Sequence, residues 1–466
     1  MKRSEQVNKK DKPKFTIKNK DLVKRIIFTL VVLLLVKIAM LITVPGVTLS
    51  DNYSEGANNI EFFKLLSTLG GGSINQFSIL ALGVSPYITA SIITQLLSTD
   101  VVPILTNWSK SGERGRKKID KLTKVLTIPF ALMQTIATIF TLSQYGLIEP
   151  KWGDPSSIGG ATFYFFLVPI IMLAGTFLML WIADQITIKG IGNGVSIIIF
   201  VGIVSGMPQN IIDTYAFWTK ASSEATILFE GLIYFSIYMI AFVFVIFIVT
   251  FINEVERKIP IQQTGSGLVE NEDNMPYLPL KLNNAGVIPV IFASAIISTP
   301  ITIAEIIKTT SPDNGFVWFT NNFLSFSSWG GIAIYATTVI LFTFLYSQVQ
   351  INPEKIADNF NKSGTFIPGI NPGKDTQKFL SGTINRLSCF GSVFLALIAA
   401  LPYIIAKLTD LPSNLAIGGT GLIIIISVAL QTTQQVKGRL IQQSFIDKKQ
   451  DKFENGINDS NTSHIW

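Results

Sequence analysis

The stretch GVSPYITASII, residues 83–93, occurs a second time in nearly the same letters as GVIPVIFASAII, which begins at Gly286. At matching positions both copies carry Gly, Val, Pro, Ile, Ala and Ser. Both lie in long apolar segments, where glycine and proline loosen a helix that neighbouring helices must then support. Two interrupted helices, one in each half of the chain, predict an internal repeat in which the interface between the two halves is the functional site of the protein. The alternative is a chance match between two segments rich in Ile, Ala and Ser.

The composition is that of an integral membrane protein. The chain has 466 residues, of which 48% are hydrophobic and 14% charged, whereas soluble proteins carry roughly 25% charged residues. Its single histidine, His464, lies almost at the end of the chain. Neither histidine-based acid–base catalysis nor a histidine-ligated metal site is therefore expected in the body of the protein. The single cysteine, Cys389, cannot form an intrachain disulfide.

Ten apolar segments are long enough to be membrane spans. They are residues 26–44, 77–98, 122–145, 161–183, 191–208, 227–252, 284–307, 330–350, 383–406 and 415–436. An even number of spans puts both termini on one side, and the distribution of Lys and Arg tells which side it is. If that side is the cytoplasm, most of the 37 Lys and Arg are cytoplasmic. The external segments hold only Lys64, Lys151, Lys220, Lys308 and Lys407. The sequence therefore predicts cytoplasmic termini.

Five spans per half is an odd number, so a second half that repeats the first must lie upside down relative to it. The repeated phrase falls in the second and seventh spans, which are equivalent positions of such a repeat. The predicted fold is thus an all-α polytopic membrane protein with ten transmembrane helices in two inverted five-helix halves. The predicted organisation is a basic cytoplasmic segment (1–25), a first half (26–210), a second half (211–440) with cytoplasmic loops at 253–283 and 351–382, and a polar cytoplasmic tail (441–466).

Two connecting segments each allow two interpretations. Residues 61–78 are partly apolar, too short to span in addition to the next helix, and contain three successive glycines. They form either an ordinary re-entrant turn or a mobile segment that folds back into the centre of the protein. The basic loop SKSGERGRKKIDKLTK, from Ser109, is either a topology determinant at lipid headgroups or a docking surface for an acidic or phosphate-rich partner.

An inverted repeat in a membrane could serve as a transporter, an enzyme or a pore, and the sequence favours these three classes to different degrees. Ion-coupled secondary transporters usually hold charged groups near the membrane midplane, but the predicted spans are nearly free of charge, with Lys37, Glu230 and Arg386 as the candidates. An intramembrane enzyme is disfavoured because the apolar segments offer no histidine, no paired Asp and no GxSG serine. A passive pore with an apolar constriction remains, because such a constriction can exclude ions by dewetting. A transporter of a small solute is the alternative.

Several stretches make the chain resemble the SecY family, the channel subunits of bacterial and plastid protein translocases, over roughly residues 22–443. They are FSILALGVSPYITASIITQLL, SGERGRKKI, WIADQITIKGIGNGVSIIIF, YLPLKLNNAGVIPVIFAS, NPEKIADNFNKSGTFIPGINPG and IGGTGLIII. The resemblance implies an hourglass pore between the two halves that opens sideways to lipid between the second and seventh helices. It implies a channel that translocates unfolded secretory polypeptides and releases transmembrane segments into lipid, and it implies no catalytic residues, metal or cofactor.

The resemblance also assigns roles to residues of this sequence. The pore ring is Val84, Ile88, Ile199, Ile291 and Ile424. The plug, at about 61–76, includes Phe62, Phe63, Leu65, Leu66, Gly70, Gly71 and Gly72. The lateral gate includes Gly83, Pro86, Thr89, Ser91, Gly286, Pro289, Ser294 and Thr299, with the two prolines as expected bending points. Docking of cytosolic partners falls to Arg114, Arg116, Lys117, Lys118, Arg257, Lys258, Phe366, Pro368 and Asn371.

The implied partners are SecE- and SecG-type small membrane subunits, the SecA motor ATPase, the ribosome, polypeptides that bear a signal sequence, and the lipid bilayer. The implied location is the cell membrane, with a plastid thylakoid membrane as the alternative. Two features depart from the family pattern. Asn371 stands where the family usually has Arg, and the loop after Glu256 has few basic residues and three acids. Contact with the motor or with ribosomal RNA is expected to be weaker or differently built there.

Overall fold

The computed structural model describes residues 20–50, 63, 73–98, 102–150, 166–219, 225–264, 276–310, 314–409 and 419–462. Most of these residues are helical. The helices are α1 (Lys20–Ala39), α2 (Ser85–Leu97), α3 (Pro103–Lys110), α4 (Gly112–Gln144), α5 (Val168–Lys189), α6 (Gly194–Thr219), α7 (Ala225–Glu254), α8 (Ile288–Thr310), α9 (Gly315–Phe319), α10 (Trp329–Gln350), α11 (Pro353–Lys362), α12 (Lys374–Thr409) and α13 (Gly419–Thr462). The strands are β1 (Val47–Leu49), β2 (Ile148–Pro150), β3 (Glu256–Pro260), β4 (Gln262–Gln263), β5 (Tyr277–Lys281) and β6 (Thr365–Phe366).

The helices follow the order of the predicted spans. Within the described residues six helices are long and apolar enough to cross a membrane. They are Gly112–Ser143, Val168–Lys189, Gly194–Thr219, Leu228–Glu254, Trp329–Lys362 and Lys374–Thr409. The other four predicted spans fall on α1, α2, α8 and α13. The molecule is thus an all-α multi-pass membrane protein, and its helix order is consistent with ten spans although six pass on length and composition alone.

The second predicted span is a continuous helix over only part of its length. A short 3-10 turn (Ser73–Gln76) and a series of turns at 77–84 precede α2, which has 13 residues. The backbone of these turns is hydrogen-bonded inside the protein: the Gly83 N–H donates to the Leu80 carbonyl (2.8 Å), and the Val44 N–H donates to that of Phe77 (3.0 Å). Non-helical backbone is tolerated at membrane depth only where protein surrounds it in this way.

One large apolar cluster joins the two halves of the chain. It combines buried side chains of α1, α5, α6 and α7 with those of α8, α10, α12 and α13, and the turns before α2 add Leu80 and Val84. A second cluster lies in the first half and packs Phe63, Phe77, Ala81 and Leu82 against α4 and α5. The turns before α2 therefore pack on the first half with some side chains and on the cluster that joins the halves with others.

The described parts of the loops 253–283 and 351–382 form one small ordered unit. Strands β3 and β5 pair antiparallel, and β4 pairs with β6, which brings Gln262 opposite Phe366. A separate apolar cluster that includes Ile259, Ile367 and Leu380 lies beneath them. Because β4 and β6 come from different loops, the loops 253–283 and 351–382 are joined by backbone hydrogen bonds.

The prediction of a basic loop from Ser109 is wrong, because Ser109 and Lys110 end α3 and the residues from Gly112 onward begin α4. The chain passes from α3 to α4 at Gly112, whose φ of 67° lies in the left-handed region that favours glycine. A Cβ on Gly115 would lie 1.8 Å from the Trp108 carbonyl oxygen, so the two helices approach too closely there for any other residue. The Lys and Arg residues in the first turns of α4 are compatible with a helix. The basic residues are therefore held in a rigid helical frame.

Candidate functional site

The repeated phrase forms the same local structure in both halves. Gly83 and Gly286 have φ of 54° and 67°, in the left-handed region that favours glycine. Two residues later a helix begins in each case, α2 at Ser85 and α8 at Ile288. The Ile88 N–H donates to the Val84 carbonyl (3.0 Å), and at the equivalent position the Ile291 N–H donates to the Val287 carbonyl (3.3 Å). The sequence repeat is therefore also a structural one.

The prolines of the phrase do not bend these helices, which corrects the expectation that Pro86 and Pro289 are bending points. Each is the second residue of its helix. In the first turn the missing N–H has no intrahelical partner to lose, and the fixed φ suits the helix. The residue with left-handed backbone lies three positions before each proline, at Gly83 and Gly286, so each of these helices has a non-helical joint just before its first turn.

The polar gate residues satisfy their hydroxyls on their own helices. Thr89 donates to the Ser85 carbonyl (3.2 Å), Ser294 to that of Ile291 (2.8 Å), and Thr299 to that of Ala295 (2.8 Å). Contacts between α2 and α8 themselves are few, whereas α2 packs closely on α4 and α8 on α10. Separating α2 from α8 would thus break none of these three hydrogen bonds.

The five ring positions lie in or against one apolar cluster. Val84, Ile199 and Ile424 are buried in it, and Ile88 and Ile291 are partly buried against it. Val84 directly precedes α2, and the other four lie on α2, α6, α8 and α13. This placement is compatible with the predicted apolar constriction, which requires branched apolar side chains from several elements between the halves.

One hydrogen bond connects the halves close to the gate. Tyr346 on α10 donates its hydroxyl proton to Gln95 Oε1 on α2 at 3.1 Å, across 251 positions of sequence. The Gln95 amide is oriented from its other side, because Nε2 donates to the Ser91 hydroxyl at 3.1 Å. Since α10 packs on α8, this bond holds the first gate helix to the unit that carries the second.

A further set of hydrogen bonds ties the start of α8 to the end of α7. The Asn283 side chain accepts the Gly286 N–H at 3.1 Å and donates to Asn253 Oδ1 at 3.0 Å. Asn253 in turn donates to the Val249 carbonyl (2.9 Å) in the last turns of α7. Through Asn283 and Asn253, the start of α8 is therefore attached to the end of α7, next to the hairpin of β3 and β5.

The predicted docking residues at the start of α4 are exposed. Arg114, Arg116, Lys117 and Lys118 all face solvent. Lys117 pairs with Glu113 at 3.1 Å, and the Lys118 ammonium lies 5.5 Å from the centre of the Trp108 ring. An exposed ion pair of this kind contributes little to stability. These side chains are thus available for a partner.

The other predicted docking residues lie on the small unit formed by β3–β6. Arg257 and Lys258 are exposed on β3, and the Lys258 ammonium lies 4.8 Å from the centre of the Tyr277 ring. Phe366 is half-buried on β6, whereas Pro368 and Asn371 are exposed in the turn after it. The Asn371 side chain donates to Asp375 Oδ2 at 3.2 Å, so this turn presents an amide and a carboxylate.

A family model described as SecY matches residues 78–433. The chain belongs to the SecY family. Two relatives, both called "Protein translocase subunit SecY", extend the match on either side. The one from Mycoplasma capricolum is 66% identical, over 98% of this chain and 96% of the relative. The one from Mycoplasma pneumoniae is 43% identical, over 89% of this chain and 85% of the relative.

Solved SecY and Sec61 channels have the same fold. The structure described as "The structure of a protein conducting channel" matches with a TM-score of 0.65 at 19% identity, over 92% of this chain and 94% of that one. The canine Sec61 channel in a ribosome–channel complex matches with a TM-score of 0.61 at 18% identity over the same shares. At this level of identity the likeness establishes the fold of this SecY-family chain.

The plug prediction falls mostly outside the described residues. Phe62, Leu65, Leu66 and the three glycines Gly70, Gly71 and Gly72 lie there. Phe63 is described and is 1% exposed. It belongs to the first-half cluster together with Ile74 and Phe77, so this one plug position packs beside the joint of α2.

Sequence reasoning missed Gln95, Tyr346, Asn253 and Asn283. Gln95 stands two residues after the quoted phrase in ITQLL, and Asn283 three residues before its second copy in LNNAGV. An amide beside a helix joint is a signal for a cap, and this signal could have singled out Asn283. No local pattern marks Tyr346.

Replacing Asn283 with Ala is expected to destabilise the SecY-family fold, because it removes two hydrogen bonds at a buried joint, each worth about 1 kcal/mol. The midpoint of thermal unfolding in detergent should fall by several degrees. The matched control is Asn284→Ala on the neighbouring residue, whose buried Nδ2 has no hydrogen-bond partner among the described residues. Equal shifts for the two variants would contradict the role assigned to Asn283.

Proposed function

We propose that this chain is a protein-conducting channel that passes unfolded secretory polypeptides across the membrane and releases transmembrane segments sideways into lipid. The observation that carries the proposal is the repeated glycine joint before α2 and α8, next to an apolar cluster that contains all five ring positions. The family membership and the relatives named "Protein translocase subunit SecY" support it. A small-solute transporter is not favoured.

The mechanism follows from the helices that the joints connect. An apolar signal segment binds between α2 and α8, where few contacts must be broken. Burial of its side chains stabilises the separated arrangement at roughly 25 cal/mol per Å² of apolar surface. The ring, Val84, Ile88, Ile199, Ile291 and Ile424, then widens around the polypeptide. At rest the same side chains exclude water and ions from the constriction.

The proposed organisation is the one predicted from the sequence. The halves are residues 26–210, with a plug at about 61–76, and 211–440, with the cytoplasmic loops 253–283 and 351–382. The segment 1–25 and the tail 441–466 are cytoplasmic, and the chain lies in the cell membrane. The skew of Lys and Arg supports this orientation.

The channel is not itself an enzyme, so partners supply the work. We assign this role to a SecA-type motor or the ribosome, with SecE- and SecG-type subunits beside the channel in the membrane. The exposed cations of α4 and the cytoplasmic unit of β3–β6 are the docking surfaces. Support for the ribosome comes from solved relatives, which include a Sec61 channel in a ribosome–channel complex and an Ssh1 complex bound to a ribosome.

Reconstitution tests the function directly. Vesicles that contain the chain, the small subunits and the motor with ATP should protect an unfolded precursor from added protease. Omission of the motor or of ATP should abolish this protection. Vesicles that contain the chain alone should take up no small solute. Partner-independent uptake of a solute, without protection of the precursor, would contradict the proposal and favour the transporter.

Loss of the Tyr346 hydroxyl should make the gate easier to open. Tyr346→Phe removes the hydrogen bond to Gln95, which is worth about 1 kcal/mol. That free energy corresponds to roughly a fivefold shift between closed and open arrangements. Secretion of a reporter with a weakened signal sequence should therefore rise several-fold, as measured by pulse labelling.

Tyr335→Phe is the matched control for this prediction. Tyr335 lies on the same helix and is fully buried, and its hydroxyl has no hydrogen-bond partner within the part of the chain that the structure describes. Removing that hydroxyl breaks none of the described hydrogen bonds, so secretion of the weak reporter should stay at the level of the unchanged protein. A similar rise in both variants would count against a specific role of the Gln95–Tyr346 bond.

A further inference from the structure

The connection between α8 and α10 has its aromatic side chains on the outside. We name residues 315–329 the aromatic segment. It comprises the short helix α9, a π-helical turn (Thr320–Leu324) and the start of α10. Five of its large aromatic side chains are exposed: Phe316 (38%), Trp318 (63%), Phe319 (46%), Phe323 (43%) and Trp329 (55%).

This pattern is the reverse of that of a water-exposed helix. Val317 and Thr320, three positions apart, face inward and are 3% and 1% exposed. Phe316, Phe319 and Phe323 follow the other helical face. The Phe319 and Phe323 rings stack with centroids 5.4 Å apart, and Trp318 lies edge-on to Phe323 at 6.0 Å. The outward face is thus one continuous aromatic patch.

The patch is held in place rather than being a loose loop. Asn314 caps α9 by accepting the Phe316 N–H at 3.0 Å, and Ser328 caps α10 by accepting the Gly331 N–H at 2.9 Å. Phe326 is buried and stacks on the Tyr403 ring of α12 at 4.6 Å. The exposed rings therefore belong to an ordered surface with capped helix ends.

Two neighbours fix the depth of the segment. Trp329 opens the spanning helix α10, and the Lys407 ammonium lies 5.0 Å from its ring centre while donating to the Ser327 carbonyl at 2.7 Å. Lysines near the ends of spanning helices reach for the headgroup region, and Trp is enriched at the same level. The aromatic segment thus lies at the boundary between hydrocarbon and headgroups.

We propose that the aromatic segment is an interfacial membrane anchor, with its rings inserted among the headgroups and upper acyl chains of the outer leaflet. Residues 314–328 contain no Asp, Glu, Lys or Arg, and Asn, Thr and Ser accompany the rings. This composition suits the interface better than water, where the aromatic patch would stay hydrated, or a spanning position, for which α9 is far too short. Lipid is therefore the occupant of the patch, continuous with the lipid that surrounds α10.

The anchor would have a consequence for the gate. The segment packs on α8 from the external side, so it holds that end of the second gate helix at a constant depth. Movement of α8 is then confined to its opposite end, where the Gly286 joint lies. The anchor itself rests only on the membrane location of the chain, so it stands or falls independently of the proposed translocation function.

Fluorescence of Trp318 tests the anchor. In the full chain all other tryptophans are replaced by Phe, and the protein is reconstituted into vesicles of brominated phosphatidylcholine. We expect a loss of Trp318 emission that is larger for bromines near the headgroup than for bromines near the bilayer centre, and weak quenching by aqueous acrylamide. Strong acrylamide quenching without lipid quenching would overturn the proposal. Shielding from both quenchers in these vesicles would indicate that protein covers the patch and would also overturn it.

A second measurement avoids the multiple tryptophan substitutions. In a Cys389→Ser background, Phe319→Cys is labelled with a polarity-sensitive dye, and Lys362→Cys at the exposed end of α11 is the matched aqueous control. Emission from position 319 should be shifted to the blue of that from position 362. Identical emission spectra would overturn the anchor.

Discussion

A covalent link between positions 95 and 346 should stop secretion. The link is made in a Cys389→Ser background from Gln95→Cys and Tyr346→Cys, joined by a short cleavable bismaleimide. The native side chains at these positions meet at 3.1 Å, so the crosslinker fixes the closed arrangement of the two halves. Because α2 must leave the α8–α10 unit for a signal segment to enter, the export of every reporter, strong or weak, should fall to background. Pulse labelling of precursor and mature forms measures this loss.

The same molecules provide the control for the crosslink. Cleavage of the linker restores the double variant without changing its sequence, and export should return with it. A longer flexible linker at the same positions should block export less. If export is undiminished with the short linker in place, α2 and α8 do not open during transport and the lateral-gate assignment fails.

Removal of two ring side chains should make the resting channel leak. Ile88→Gly combined with Ile291→Gly deletes the equivalent residues of the internal repeat, both partly buried against the central cluster. An apolar constriction excludes ions only while it is too narrow and too apolar to stay wet, so resting ion conductance should rise on the order of tenfold. Single-channel recording in planar bilayers measures the change.

Glycine also weakens a helix by roughly 1 kcal/mol relative to alanine, whatever the side chain contacted. The matched control is therefore Ile296→Gly with Ile303→Gly on α8, where both side chains are exposed on the outside of the helix (40% and 47%). These variants carry the same helix penalty but leave the ring intact, and they should conduct no more than the unchanged channel. Equal conductance of the two double variants would remove Ile88 and Ile291 from the seal.

The order of the helices is consistent with the ten predicted spans, six of which are long and apolar enough to cross a membrane within the described residues, because apolar length is a local property of the sequence. The sequence also located the joints, since Gly83 and Gly286 recur in an otherwise similar phrase. It placed the bend at the prolines, which is wrong. In a sequence, a proline that kinks a helix cannot be distinguished from a proline in the first turn of a helix, and only the backbone angles tell the two apart. The basic loop from Ser109 was misread for a related reason: Lys and Arg are as compatible with the start of a helix as with a loop.

Other features depend on contacts between distant parts of the chain. Nearly every residue of a span is apolar, so periodicity alone does not tell Ile199, in the central cluster, from its neighbours. The ring positions came from the family resemblance for that reason, and they remain a prediction that the conductance experiment tests. Gln95 and Tyr346 are 251 positions apart, and Gln262 and Phe366 pair from separate loops. Neither contact leaves a pattern within a window of sequence.

The turns before α2 determine the shape of the proposed lateral gate between the two halves of the chain. With 13 residues, α2 is about 20 Å long, whereas α8, with 23 residues, is about 35 Å and matches a hydrocarbon core of roughly 30 Å. On the α2 side of this gate, residues 77–84 form the outer part. Phe77, Ala81 and Leu82 of this part pack against α4 and α5. In the proposed gate, that outer part stays with the first half when α2 moves about Gly83. A gate of this kind would open widest beside α2 and least beside residues 77–84, and a departing segment would then enter the lipid one end first.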